Sequence, residues 1–176
     1  MVEIKLGASS KSTPDRSGFA GTRSAVQVLD DINIAETPRF TSGTGEFDRV
    51  LGGGLVPGSA ILIGGNPGAG KSTLLLQTLC QLAATMPALY VTGEESLEQV
   101  AMRANRLGLP TNKLQMLAET DVQSILIAAQ QVAPKLLVVD SIQVMHMSDV
   151  ASAPGSVTQV RECAAVLTRF AKQTGT

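Results

Sequence analysis

Apolar positions along this 176-residue chain change period several times, and each change marks an element. Leu74, Leu75, Thr78, Leu79 and Leu82 recur at helical spacing and predict a helix from Lys71 to Thr85. The run Ser59–Gly64 is predicted as the first core strand, led in by a Pro57-Gly58 turn, and Ala88–Gly93 is predicted as the next. Ser96 to Leu107 reads as a helix closed by Gly108, with Pro110 just beyond. Lys113–Ala118 reads as a short strand, and Asp121 is placed to cap a helix running through Ala133. Leu136–Val139 is unbroken apolar sequence before Asp140, the pattern of a strand buried on both faces. A loop from Ser141 to Pro154 then leads to a last helix, Ser156 to Lys172.

Strands alternating with helices predict a parallel sheet joined by right-handed crossovers, with a ligand crevice at the carboxyl ends of the strands. Upstream, Thr44–Leu51 reads as a short helix stopped by Gly52-Gly53-Gly54. Residues 1–37 are polar and aperiodic and are expected to be a linker or disordered N-terminal segment, with a short strand or turn around Val26–Leu29. The remaining 38–176 is expected to form the domain. The chain stops at Thr174-Gly175-Thr176, straight after a helix, where another strand is due. A sheet truncated before its last core strands is the expectation.

Composition narrows the picture by exclusion. A 44% apolar content fits a globular fold with a sizeable core. Only 16% of residues are charged and the formal net charge is −1, so no general nucleic-acid-binding footprint exists. No apolar run is long enough to span a membrane and no apolar signal core opens the chain, so a cytoplasmic location is expected. Cys80 and Cys163 both sit in helical apolar patterns, where cysteine behaves as a small hydrophobe. Two cysteines cannot by themselves build a structural zinc site, and His146 stands without a partner at ligand spacing.

The chemistry concentrates in Gly65-Asn66-Pro67-Gly68-Ala69-Gly70-Lys71-Ser72, a complete G-x-x-x-x-G-K-[ST] phosphate-binding loop between a predicted strand and a predicted helix. Its glycines let the backbone approach phosphate oxygens closely, Lys71 reaches the β and γ phosphates, and the Ser72 hydroxyl is suited to Mg²⁺. Asp140 ends a predicted strand at the same sheet edge, where a carboxylate can hold Mg²⁺, usually through water. Glu94 and Glu95 follow another strand to that edge. Either is suited to orient or deprotonate the water that attacks the γ phosphate, Glu94 being preferred as nearer the strand. Acidic residues also favour the first turn of a helix for electrostatic reasons alone. Arg161, Arg169 and Lys172 share roughly one face of the last helix, and the loop from Met145 to Gly155 is too apolar to be only a solvated spacer.

The run Ser42–Ser59, its continuation Leu62–Leu74, the stretch Tyr90–Ser96 and Asp140-Ser141-Ile142-Gln143 together resemble the RadA (Sms) family of bacterial DNA repair proteins. The likeness runs from about Pro38 onward. It implies a three-layer P-loop NTPase of the RecA-like type with a mostly parallel sheet, using ATP and Mg²⁺ and acting as a homo-hexamer. Single-stranded DNA and recombination intermediates are the implied partners, with branch migration driven by ATP. By the same resemblance Gly65–Thr73 is the Walker A loop, Asp140 the Walker B acid and Glu94 the catalytic glutamate. Val144–Gly155 falls where RecA-like proteins place a DNA-contacting loop, although it lacks Lys and Arg. Members of the family also carry a four-cysteine zinc finger before the core, and a Lys-Asn-Arg-Phe-Gly motif and a Lon-protease-like domain after it. None of these occurs in this sequence. In the RecA-like sheet the strand due after the last helix sits between the phosphate-loop strand and the Asp140 strand, so a gap is expected there. The other reading is an ATP-switched regulatory or scaffold protein of the KaiC-like type, which shares the core and the paired glutamates.

Overall fold

The computed structural model describes residues 26, 28–31 and 38–176. Most of the expected N-terminal linker lies outside them, as does part of the Val26–Leu29 segment; Leu29–Asp31 is a single 3-10 turn. The described elements begin with a short helix α1, Gly45–Val50. Then α2 (Lys71–Leu82), β1 (Ala88–Thr92), α3 (Leu97–Arg106), β2 (Gln115–Ala118), α4 (Val122–Val132), β3 (Leu136–Asp140) and α5 (Val157–Thr174) follow in turn.

The three strands form one parallel sheet in the order β2-β1-β3. β1 lies in the middle and is buried at all five positions. Its side chains alternate between two cores. Ala88 and Tyr90 meet Leu76, Leu79 and Cys80 of α2 and Val100 and Ala104 of α3 on one face. Leu89 and Val91 meet Val122, Ile125 and Ala129 of α4 and Cys163 and Phe170 of α5 on the other. This is the expected three-layer α/β sandwich of a P-loop fold. The two cysteines are buried thiols on opposite sides of the sheet, which accounts for their apolar setting.

Two expectations need correction. Ser59–Gly64 is not a strand: the segment has no regular structure, and Leu62 is 85% exposed. A strand exists only through its neighbour's N–H and C=O groups, and no neighbour pairs with this segment among the described residues. For the same reason β3 is packed on both faces but only half-buried: Val138 alone is buried, because the sole neighbour of β3 among the described residues is β1. The Pro57-Gly58 turn does form, with the Ser59 amide on the Val56 carbonyl and the Gly58 amide on the Thr176 carbonyl, 3.1 Å each.

Candidate nucleotide site

Parallel pairing fixes which residues share the carboxyl edge. Thr92 stands opposite Ala118 on one side and Asp140 on the other. The three strands therefore release Gly93-Glu94-Glu95, Glu119 and Ser141 at one place. The Gly93 amide bonds the Asp140 carbonyl at 2.9 Å and the Glu119 amide bonds the Thr92 carbonyl at 3.2 Å, extending the ladder one step past the strands. Thr92, Gly93, Glu94, Glu95, Ala118, Glu119 and Thr120 line an open hollow of about 380 Å³. Gly93 is required here, because a Cβ would lie 2.5 Å from Val144 Cγ2 and 2.8 Å from Met145 Cε.

The two neighbouring glutamates are held differently. Glu95 forms an ion pair with Arg103 of α3, and its main chain is tied to the Thr92 hydroxyl in both directions, at 2.8 and 3.1 Å. Glu94 is exposed and accepts a hydrogen bond from the Ser141 hydroxyl, next in sequence to Asp140. Asp140 accepts a 2.5 Å hydrogen bond at Oδ2 from the hydroxyl of Tyr90. Burial, followed by the adjoining Asp140 carboxylate, pushes the Tyr90 phenol far above its ordinary pKa, so it remains a donor. The Asp140–Ser141 peptide is cis.

The phosphate loop approaches the same end from α2. The C-terminal end of α2 joins the start of β1 through residues 83–87, while Leu76 and Leu79 pack on the β1 face, so α2 runs back along the sheet. Its first residues, Lys71 and Ser72, therefore lie towards the carboxyl edge. Gly68 and Gly70 take positive φ of 79° and 85°, with open space where a Cβ would stand. The Lys71 ammonium donates to the Gly65 and Asn66 carbonyls at 2.8 and 3.0 Å, folding back along the loop.

Helix starts supply the test of whether a triphosphate fits. α3, α4 and α5 each open on a side-chain cap: Ser96 accepts from the Gln99 amide, Asp121 from Ser124 and Ser156 from Gln159. The short α1 opens on Thr44 and α2 on Gly70 with no side-chain cap. The amides of the first turn of α2 have no partner in their own helix, and the positive end of the helix dipole points the same way. Such a start suits phosphate oxygens. Ser72 and the Asp140 oxygen Oδ1, which lies outside the Tyr90 bond, are hard oxygen donors of the kind Mg²⁺ takes.

Three contributors were not found from sequence alone: Tyr90, Arg103 and Gln159. A lone tyrosine inside an apolar strand was the available signal, because a buried phenol must find an acceptor. Gln159, 2% exposed, clamps the loop after β3: its amide group bonds the Met147, Val150 and Ser152 carbonyls and accepts from the Met147 amide. The loop suggested as a DNA contact is therefore pinned to α5. Of the cations grouped on α5, Arg161 is exposed and paired with Glu162. No described helix is long and apolar enough to cross a membrane.

Comparison with known proteins gives the chain's relatives. A family model described as "ATPase: KaiC" matches residues 40–122. The DNA repair protein RadA of Haemophilus influenzae is 64% identical over 174 residues, 98% of this chain and 38% of that protein. RadA of Escherichia coli K12 is 64% identical over 179 residues, 99% of this chain and 39% of its own length. RadA of Bacillus subtilis is 49% identical over 164 residues, 91% of this chain and 36% of that protein. The chain thus spans well under half the length of these curated relatives.

Proposed function

We propose that this chain, 64% identical to two RadA proteins over nearly its whole length, belongs to the RadA family of DNA repair proteins and is the ATP-binding core of a DNA-dependent ATPase that processes recombination intermediates, driving branch migration on single-stranded DNA. What supports this reading is the Gly65–Thr73 motif at the uncapped start of α2, together with Asp140 and Glu94 at the carboxyl edge of the sheet. Backbone amides of Gly65–Thr73 hold the triphosphate, and Lys71 leaves its carbonyl partners to meet the β and γ phosphates. Ser72 and Asp140 would hold Mg²⁺, which when bound neutralises charge building on the phosphates. Glu94 orients the attacking water and receives its proton, with the Ser141 hydroxyl fixing the carboxylate. Glu95 is the less suited base, because Arg103 already pairs its charge.

ATP, Mg²⁺, single-stranded DNA and a homo-hexameric assembly are the partners this reading requires. Removal of the Lys71 ammonium provides the test. Lys71→Ala should weaken binding of a fluorescent ATP analogue by at least about tenfold, the loss expected for one charge-assisted contact. Its melting temperature should hold, since the ammonium bonds only exposed loop carbonyls. Unchanged nucleotide affinity would refute the loop assignment. The KaiC-type family match supports a second reading, an ATP-switched scaffold. ATP turnover that does not rise with single-stranded DNA would favour that scaffold.

A further inference from the structure

Resting on the reading of Asp140 as the metal-binding acid, we infer that Tyr90 is a positioning residue that sets the direction of the Asp140 carboxylate. Asp140 is the last residue of β3, partly exposed on a strand that pairs along one side only among the described residues. Left alone, a carboxylate in that place turns freely about two side-chain torsions. Tyr90 removes that freedom. It pairs with Val138, so Asp140 is its diagonal neighbour on the same face, a separation that only a long side chain bridges. The ring is fully buried among Leu76, Leu79 and Val100, which fixes the place of its hydroxyl before any ligand arrives.

A buried phenol O–H must find an acceptor, and here that acceptor is Oδ2 of Asp140 at 2.5 Å. With Oδ2 tethered, the place of Oδ1 is restricted as well. The core thus dictates the carboxylate's orientation, and the acid contributes its charge already oriented. Removing the hydroxyl takes away the orientation and leaves the charge. A partner that aligns a ligating group is commonly worth tenfold or more in metal affinity.

The test uses the chain saturated with a non-hydrolysable ATP analogue and titrated with Mn²⁺, free ion being read by electron paramagnetic resonance. Tyr90→Phe, which preserves ring volume, should weaken Mn²⁺ binding by about tenfold and leave metal-free analogue affinity unchanged. Added to Asp140→Ala, it should cause no further loss, because Tyr90 acts through that carboxylate. An unchanged Mn²⁺ affinity in Tyr90→Phe, with Asp140→Ala losing the ion, would overturn the inference and leave Asp140 as the acid. A further loss from Tyr90→Phe in the Asp140→Ala background would also overturn it. Mn²⁺ binding indifferent to Asp140→Ala would instead remove the reading on which the inference stands. Melting curves of all three variants separate these outcomes from unfolding.

Discussion

Two apolar runs of similar length, Ala60–Ile63 and Leu136–Val139, receive opposite treatment. The second pairs with β1 and packs against helices on both faces of the sheet. The first pairs with nothing among the described residues, and its Ile61 and Leu62 are 43% and 85% exposed. Apolar sequence creates a demand for cover, but only a neighbouring strand supplies the hydrogen-bond partners that make a segment a strand. The candidate carboxyl edge is built from paired strands, whereas the candidate phosphate loop is carried by α2 alone. The two halves of the candidate site therefore rest on unequal foundations.

That contrast can be broken or sharpened by substitution. Leu79→Ala, in the core beneath β1, should cost about 2–5 kcal/mol in denaturant unfolding. A loss below about 1 kcal/mol would mean that α2 is not held by this packing. Gly93→Ala should cost about 1–3 kcal/mol, because the new methyl group meets Val144 and Met145 at the strand ends. Thermal melts and the position of Ser141 relative to Glu94 would report it.

Asp121→Ala should cost about 1 kcal/mol by removing the cap of α4. Its dependence on pH follows from the bonds at this carboxylate. Burial would raise the Asp121 pKa, but bonds from Ser124 and the Gln123 amide, with His146 nearby, outweigh it and hold the pKa below the ordinary value. A depressed folded pKa gives stability that is fully present above the unfolded value, about 3.9, and lost as pH falls through the lower folded one. The difference between parent and variant should therefore be constant near neutral pH and close in acid, as urea midpoints would register. Leu62→Ala should change stability by no more than about 0.5 kcal/mol. A larger loss would show that the exposed run is covered in solution.

The same contrast explains what was legible beforehand. Helix starts at Ser96, Asp121 and Ser156 were readable because a cap is local chemistry, settled within three residues. β1 and β3 were readable from their apolar runs, but the fate of Ser59–Gly64 depended on a partner that no local pattern encodes. At the site, Glu94 and Glu95 were both placed at the edge. Only the folded arrangement, with Arg103 beside Glu95 and Ser141 beside Glu94, separates them. Tyr90 carries no local sign of its role, because its diagonal acceptor lies 50 positions away.

Gln159 leaves a last consequence for the loop it clamps. The clamping hydrogen bonds run to main-chain atoms at Met147, Val150 and Ser152. The contour of this surface is thus held largely through its backbone, while its chemical character is written by side chains. Residues such as Ser148 and Asp149 can be exchanged for cations or aromatics without redrawing that contour, which makes the segment a place to retune adhesion independently of architecture.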